Sequence, residues 1–407
     1  MALHLYRDLV DDATVATIPE SLGHKTPHLS KRDPFLYAQN RLILADGCSF
    51  NIFNGVSWFQ VVNRGVIDFN PVSLLDTGGQ FNVGWDYYVY LCLGENNTPL
   101  LVVSANATFP LGYTAQNSRK IGGFHFGHIR RVSTDGLWVP VDSAGTKRGS
   151  TGTAWQRNVA IGIIPNSVWD LVNRPSCSPE GMVKIGKHWV DIYISSAAEP
   201  IIMEGSGLSI ESGRLQSRYG QIPVTGTEGL NWFGFAELAS IAGKRMLTYS
   251  EWIAAARDNP QGEDAADNFG WTKTTNTERF RTGCNVDANG AFLDGGGVKG
   301  FAVSALNIVD AVGNVIEWID ELSYRQPDGG AAPVFAWHDV LGTGKGQAHL
   351  DSNRGLTALG VGGYWPSGVF AGSRCVLAHV NPWGVLASRG VRLACDAAPL
   401  RLVSDVQ

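Results

Sequence analysis

The sequence predicts a mixed, β-rich fold in which an all-β N-terminal and middle region is followed by an α+β domain with two helices and long irregular loops. Three observations predict this fold. Short apolar runs separated by turn residues fill the chain from residue 39 to about residue 164. Only two segments, both between residues 232 and 260, have clear helical spacing. Glycine is abundant, at 49 of 407 residues, and favours turns and loops over long helices.

The composition excludes several classes of protein. Hydrophobic residues make up 44% of the chain and charged residues 17%, which predicts folded cores rather than disorder. A net charge of −5 gives no general attraction for nucleic acid. The sequence has no apolar run long enough to span a bilayer, so we expect no membrane insertion. Its first residues lack the pattern of a signal peptide, and we expect assembly in a reducing cytoplasm.

Changes in residue composition and hydrophobic pattern along the chain predict three regions. Residues 1–38 are polar and irregular, which favours an arm or a small attachment element. Residues 39–164 alternate strand-like and turn-like segments, which is typical of a β-sandwich. Residues 165–407 form the α+β region, in which residues 167–175 have a helix-like pattern and residues 188–194 a strand-like one.

The two helices are marked by their end signals. The first is predicted from Trp232 to Ala242 and ends at Gly243. The second is predicted to begin after Thr248, because Glu251 three residues later completes a capping box, and to run until Pro260. These helices are the parts of the α+β region that local sequence predicts most directly.

The residues alone offer no catalytic constellation. Residues 341–347 (LGTGKGQ) lack the spacing of a phosphate loop. His125 and His128 lie in a strand-like segment, where positions three apart point to opposite faces and suit a shared metal poorly. Of the six cysteines, only Cys375 and Cys395 are close enough in sequence to invite a bridge. We therefore expect no cofactor and no metal site.

Three segments carry a resemblance to known families. Residues 244–257 (KRMLTYSEWIAAAR) and 310–321 (DAVGNVIEWIDE) resemble the formylglycine-generating-enzyme branch of the C-type lectin fold. Residues 362–396 (GGYWPSGVFAGSRCVLAHVNPWGVLASRGVRLACD) are similar to the end of the variable proteins that diversity-generating retroelements rewrite. The resemblance to this phage-associated family of variable proteins covers roughly residues 80 to 396. It implies that residues 165–407 form a C-type lectin fold ligand-binding domain, with a variable region at about 350–396.

The resemblance also implies roles for individual residues. In this family a rigid frame displays interchangeable side chains near the C-terminus. The variable, ligand-binding positions would be Tyr364, Pro366, Ser367, Phe370, Leu377, His379, Val380, Gly384, Leu386 and Ser388. The frame would include Trp252, Trp318, Gly363, Trp365, Arg374 and Asp396.

Some frame residues have more specific expected roles, and some of the predicted variable residues have an alternative role in the core. Trp365 and Trp383 are expected to support the frame, and Arg374 and Asp396 to pair with each other or with loop carbonyls. The mixture of aromatic, small and apolar residues in this segment is typical of a binding surface. Without the resemblance, Phe370, Leu377 and Leu386 could equally be core residues of an irregular fold.

The implied function is binding of a host receptor. We expect a tropism protein at a phage tail fibre tip, contacting a protein or glycan on the cell surface, with homo-oligomerisation, a trimer by resemblance. It would be neither an enzyme nor a nucleic-acid-binding protein. Two alternatives remain open: a virion structural or adhesive protein without diversification, and a formylglycine-generating-type oxidase. The oxidase would need a cysteine pair for copper or a histidine set for iron, and the sequence shows neither pattern.

Overall fold

The computed structural model describes residues 3–9, 29–31, 40–130, 159–204, 209–257, 259, 279–283, 286–287, 303–325, 335–338, 348–351, 355–367 and 371–398. These residues divide into two compact units. The first is drawn from residues 1–129, 160–180 and 397–407, and the second from residues 130–159 and 181–396. In the described part of the chain, no helix has the length and apolar character needed to cross a membrane.

The first unit consists of strands joined by turns in its described residues. Its strands are β1 (Leu3–Leu9), β2 (Leu29–Lys31), β3 (Leu42–Leu44), β4 (Ser49–Phe53), β5 (Trp58–Asn63), β6 (Ile67–Phe69), β7 (Trp85–Leu93), β8 (Pro99–Ser104), β9 (Ser118–Arg130), β10 (Val159–Ile163) and β11 (Trp169–Asp170). They form three sheets with the orders β1-β5-β4, β2-β3-β6 and β10-β9-β7-β8, and β11 pairs with β9.

One apolar core holds the first unit together. Alternate residues of β3, β4 and β7 point into it, as the period of two along a strand requires. Tyr87 of β7 stacks on Phe124 of β9 with ring centroids 5.8 Å apart. Phe81 packs edge-on against Phe124. The β-rich prediction for this part of the chain follows from this alternation.

Two local predictions in the first unit are wrong. The polar segment 1–38 is not wholly irregular, because β1 pairs antiparallel with β5 and β2 with β3. Residues 167–175 form no helix, since β11 pairs with β9 and the Asp170 carboxylate accepts the N–H groups of Val172 and Asn173. In both places, hydrogen bonds to distant or turn residues override the local pattern.

The second unit combines short strands with two helices in its described residues. Its elements are β12 (Met182–Ile185), β13 (His188–Asp191), β14 (Ser196–Met203), β15 (Ile210–Gln216), α1 (Trp232–Ile241), β16 (Arg245–Met246), α2 (Tyr249–Ala255), β17 (Phe280–Arg281), β18 (Val286–Asp287), β19 (Ile316–Arg325), β20 (Phe335–His338), β21 (Ala348–Asp351), β22 (Gly355–Gly362), β23 (Gly372–Val380), β24 (Arg389–Val391) and β25 (Leu393–Asp396).

Two four-stranded sheets form the centre of this unit, with the orders β12-β13-β25-β16 and β23-β22-β19-β24. Strand β19 pairs antiparallel with β22 and parallel with β24. The hairpins β14-β15, β17-β18 and β20-β21 complete the strand pairing. A core that includes Phe235, Leu238, Trp318 and Leu393 packs α1 against these sheets. Strand β23 pairs with β22 alone and is therefore an edge strand.

Both helices begin as the sequence predicts. The Asn231 side chain accepts the N–H of Gly234 at the start of α1. At the start of α2, Thr248 Oγ1 accepts the Glu251 N–H and the Glu251 carboxylate accepts the Thr248 N–H, which completes the capping box. Helix α2 ends at Ala255, earlier than predicted. The Asn259 N–H donates to the Ala256 carbonyl instead of continuing the helical ladder.

Candidate functional site

A buried ion pair holds the second unit together beneath the C-terminal strands. The Arg392 guanidinium donates to Glu317 Oε1 at 2.8 Å, and both side chains are 1% exposed. The same guanidinium donates to the carbonyl oxygens of Asp191, Ile192 and Val309. Through these bonds Arg392 joins Glu317 of β19 to the main chain of neighbouring segments. This network holds β24, β25 and β19 at fixed positions.

Trp252 joins α2 to this ion pair. Its indole N–H donates to Glu317 Oε2 at 3.2 Å, and its side chain is fully buried. Gly362, beside Gly363, adopts a positive φ and approaches the Ala311 carbonyl and the Trp252 ring so closely that a Cβ would collide. The main chain just before Tyr364, the first predicted variable position, is therefore packed directly against Trp252 of α2.

A second polar cluster lies where β25 ends. Asp396 Oδ1 lies 3.1 Å from His188 Nδ1 and 3.3 Å from Arg245 Nη2. Arg245 also forms two hydrogen bonds of 2.8 Å with the Glu251 carboxylate. Although partial burial opposes ionisation, these bonds and the Thr248 N–H hold the pKa of Glu251 at about 2. The cluster joins the end of β25 to α2 through charge-assisted hydrogen bonds.

The predicted pairing of Arg374 with Asp396 is wrong. Asp396 lies opposite His188 because β25 pairs with β13. Arg374 belongs to edge strand β23 of the other sheet, and its side chain is exposed. Only its main chain is held, since the Tyr249 hydroxyl donates to the Arg374 carbonyl at 3.0 Å.

Residues 381–388 form a loop whose main chain is anchored at three carbonyl groups. The Trp232 N–H donates to the Pro382 carbonyl at 3.0 Å, and the Gly226 N–H to that of Leu386 at 3.1 Å. The Ile316 N–H donates to the Ser388 carbonyl at 2.9 Å. We call this loop, together with β23, the display face. Its backbone is held by the frame through main-chain hydrogen bonds, and the side chain of Val380 in β23 also packs against the core.

Several apolar side chains of the display face point to solvent. Trp383 and Leu386 are each 36% exposed, and Val376 and Val385 are more exposed still. His379 is also exposed. Isolated exposed apolar residues are ordinary, whereas several on one surface make that surface a candidate for binding. Trp383, which is expected to support the frame, is 36% exposed and stands in the turn from Asn381 to Gly384.

Of the other predicted variable residues, Leu377, Val380, Gly384 and Ser388 lie within the display face, and the rest precede it in the sequence. Phe370 lies outside the described residues, and none of the others is fully buried. The ring of Tyr364 packs edge-on against Trp365, 5.3 Å between centroids. Ser367 Oγ accepts the Tyr364 N–H at 2.9 Å and closes a turn. The remaining half-buried residues of this set are Pro366, Leu377, Val380, Gly384 and Ser388.

The frame residues differ in their burial. Trp252 and Trp318 are completely enclosed, and Trp365 is 9% exposed against Ile194 and Val315. Gly363 is buried with a positive φ, so that a side chain there would be strained. Arg374 and Asp396 are exposed. The predicted frame therefore includes both core residues and surface residues.

Sequence reasoning missed two features of the site. Arg389, at the start of β24, is 4% exposed and lies with its guanidinium carbon 5.4 Å from the Trp318 ring centroid. Val376 and Val385 are exposed on the display face although neither is among the predicted variable residues. The only sequence signal for Arg389 was its place directly after predicted variable residue Ser388.

The described residues hold no obvious catalytic or metal group. Cys375 and Cys395 are not joined by a disulfide, and burial raises the pKa of the Cys375 thiol. Among these residues, no group of three or more His, Cys, Asp and Glu side chains is arranged to hold a metal ion. His125 and His128 are buried in β9. The phosphate-loop-like segment 341–347 lies outside the described residues.

Two family models and a phage protein are similar to this chain. Residues 36–156 match the family model described as Mtd second domain, and residues 154–393 match the Sulfatase-modifying factor enzyme 1-like domain. A Tail fiber receptor-binding protein of Bordetella phage BPP-1 is 26% identical over 354 residues, which cover 82% of this chain and 77% of that protein.

Solved structures share the fold. The chain matches the Major Tropism Determinant I1 Variant with a TM-score of 0.61 and the M1 Variant with a TM-score of 0.60. Each is 22% identical, and each match covers 92% of this chain and 87% of that one.

The capped helices, the short strands around Arg392 and the irregular connections define a C-type lectin-fold protein with a β-rich first unit. The chain belongs to the Sulfatase-modifying factor enzyme 1-like domain family, whose model matches more than half of it. The resemblance to retroelement-diversified variable proteins that the sequence indicated is confirmed.

Proposed function

We propose that this chain is a receptor-binding protein of a phage tail and that the display face contacts the receptor. One observation carries the proposal: exposed side chains such as Trp383 and Leu386 stand on a loop held through its main-chain carbonyls. The similarity to a Tail fiber receptor-binding protein of a bacteriophage supports a place on the virion tail. In this reading the predicted variable residues select the receptor.

The energetics of the loop favour this role. Substitutions at exposed positions usually change the free energy of unfolding by less than about 0.5 kcal/mol, whereas core substitutions cost more. Because the frame holds the carbonyls of Pro382, Leu386 and Ser388, changes in the loop side chains leave those contacts intact. A surface of this kind can present many side-chain combinations on one fold.

The proposal includes the partner and the assembly. The receptor is a protein or glycan on the host cell surface, and the chain acts as a binding protein rather than as an enzyme. We propose a homo-oligomer, a trimer by resemblance, because linked sites raise the apparent affinity without new contacts. The exposed aromatic and aliphatic side chains of the display face supply the contact area.

Cell binding tests the proposal directly. Labelled protein is titrated onto a panel of bacterial strains that includes the strain from which the gene was obtained, and saturable binding to at least one strain is expected. Trp383→Ala and Leu386→Ala should each weaken that binding by about 1–3 kcal/mol, as interface aromatic and anchor residues do. Val56→Ala is the control, since Val56 is 85% exposed in the first unit.

The outcomes separate the function from the site. If no strain binds the wild-type protein, receptor binding is wrong. If both display-face variants bind as tightly as Val56→Ala, the protein binds cells through another surface.

Sequencing the neighbouring DNA tests diversification. We expect a near-identical template repeat with adenines at the codons of the predicted variable residues, next to a reverse transcriptase gene. Lack of this repeat would favour a virion adhesive protein whose display face does not vary.

The match to an enzyme-like family favours an oxidase as the second candidate function. Copper- and iron-loaded samples of the purified chain, assayed for oxygen uptake with thiol-containing peptides, test it. We expect no uptake above that of the free metals. Uptake that Cys375→Ser abolishes would establish the oxidase.

A further inference from the structure

Within the described part of the chain, Arg389 is a buried cation without an anionic partner. Its side chain is almost completely enclosed, yet its Nε has no hydrogen-bond acceptor. Its Nη1 lies 3.4 Å from Ser388 Oγ, a long contact with a neutral group. The indole N–H of Trp318, whose ring packs against the same guanidinium, is also buried without an acceptor. Two buried N–H donors in contacting side chains thus lack acceptors.

The neighbouring Arg392 shows what a structural arginine looks like in this fold. It lies three residues further along the chain and is equally buried, but it is paired with Glu317 and with three carbonyl oxygens. Burying a charge without such partners is costly, so buried charges are normally paired. Burial lowers the pKa of Arg389 to about 10, while Tyr364 and Cys375 act in the opposite direction. No carboxylate of the described residues serves Arg389.

Arg389 also lies at the display face. The preceding Ser388 and the nearby Tyr364 are both among the residues predicted to vary, and the Leu386 carbonyl accepts the Arg389 N–H at 3.0 Å. The guanidinium itself lies against the Trp318 ring and close enough to Tyr364 and Cys375 for both to affect its pKa. Its charge stays fixed while its neighbours can change.

We propose that Arg389 is an anion subsite of the display face and that it takes a carboxylate group of the ligand. A guanidinium matches a planar carboxylate with two parallel hydrogen bonds. One cation balances one negative charge, whereas a phosphate dianion would call for a second uncommitted cation. Two other buried cations of the second unit, Lys244 and Arg392, are paired with Asp191 and Glu317. The subsite rests on the proposed function only in assigning this carboxylate to a receptor.

Anion-dependent thermal unfolding tests the subsite on the full chain. The melting temperature is measured in sodium acetate, sodium phosphate and sodium chloride at equal ionic strength and pH 7. A ligand that binds the native state raises the melting temperature by an amount that grows with the logarithm of one plus the ratio of ligand concentration to Kd. We expect a concentration-dependent rise of about 2–4 °C in acetate over chloride, and a smaller rise in phosphate.

Two matched variants locate the effect. Arg389→Met retains most of the side-chain length and removes the charge, and Arg374→Met removes the same charge from an exposed position of β23. Arg389→Met should lose the acetate response, while Arg374→Met should keep it. In chloride, Arg389→Met should melt no lower than wild type, because it removes an unpaired buried charge. Arg389→Lys, which keeps the charge without the planar fork, should show a weakened response.

Several results would overturn the subsite. An acetate response that survives in Arg389→Met, or that is absent from the wild type, would do so. A variant Arg389→Met that fails to fold or melts far below wild type in chloride would make Arg389 a structural residue. A larger rise in phosphate than in acetate would refute the carboxylate. A concentration-dependent acetate response that requires Arg389 supports the subsite even if no strain binds the protein, so the two proposals fail separately.

Discussion

The buried frame around Arg392 and the display face hold their shape by different means. In the frame, side chains make the contacts: Arg392, Glu317 and Trp252 bond to one another and to strand carbonyls. In residues 381–388, carbonyl groups of the loop make the contacts instead. A region that is held through its main chain leaves its side chains free for binding. In a region that is held through its side chains, a substitution removes the contacts that hold the region.

The largest effect is expected for a substitution in the frame. Arg392→Leu leaves Glu317 buried without a partner and should lower the free energy of unfolding by about 3–5 kcal/mol. Arg374→Leu, the same substitution on an exposed strand, should change it by less than about 0.5 kcal/mol. Urea unfolding followed by tryptophan fluorescence measures both. Equal losses in the two variants would break the distinction between the two regions.

Two tryptophans separate the regions next. Trp365→Ala removes a ring packed against Ile194 and Val315 and should cost about 3 kcal/mol of stability. Trp383→Ala removes an exposed ring, so the free energy of unfolding should hardly change while cell binding weakens. If Trp383→Ala destabilises the fold as much as Trp365→Ala does, the loop side chains are part of the core.

A substitution at Gly226, where the frame contacts the loop, should have an intermediate effect on the free energy of unfolding. A Cβ at Gly226 would collide with the main chain of Leu386, so Gly226→Ala must displace the loop. We expect a loss of about 1–3 kcal/mol, as for overpacking, together with weakened cell binding. Gly355→Ala is the control, because a Cβ at Gly355 meets nothing within 4 Å. Tight cell binding by Gly226→Ala would show that the anchor at Leu386 is dispensable.

The smallest effect is expected at the start of α2, and it depends on pH. Glu251→Gln should cost about 1 kcal/mol at pH 7, since it removes the ion pair with Arg245. The pKa of Glu251 is lowered from 4.5 to about 2 in the folded chain. Its contribution is therefore complete above pH 4.5 and is lost as the pH falls towards 2.

Denaturant midpoints measured from pH 7 to pH 2.5 follow this change. The difference between wild type and Glu251→Gln should shrink on acidification. Glu237→Gln, on the exposed side of α1, should show no such difference. A gap between wild type and Glu251→Gln that stays constant over this range would contradict the role of the charge.

Local signals predicted the parts of the fold that local interactions determine. The Thr248 capping box and the start of α1 were readable because their hydrogen bonds join residues three apart. The strand around Tyr87 was readable from its aromatic and β-branched residues and from the turn residues that follow it. The pairing of β1 with β5 was not, because its partners are 49 to 60 residues apart in the sequence.

The candidate site residues came from resemblance rather than from physics. Positions such as His379 and Leu386 came from similarity to a family, and their exposure depends on anchors at Trp232, Gly226 and Ile316 that no local pattern encodes. Trp383 was expected to support the frame because tryptophan is usually buried, and its 36% exposure in this loop is not encoded by any local pattern. Arg389 was missed because its distinction from Arg392 lies in the absence of partners, which only coordinates reveal.

The three anchored carbonyls have a consequence for how such a gene can evolve. Pro382, Leu386 and Ser388 must meet Trp232, Gly226 and Ile316 at fixed spacings along the chain. Directly afterwards, Arg389 must pair in parallel register with Ile316. Adding or deleting one codon here would shift every later residue of β24 to the opposite side of its sheet. Inheritable variety in this stretch is thus confined to codon replacement at constant length.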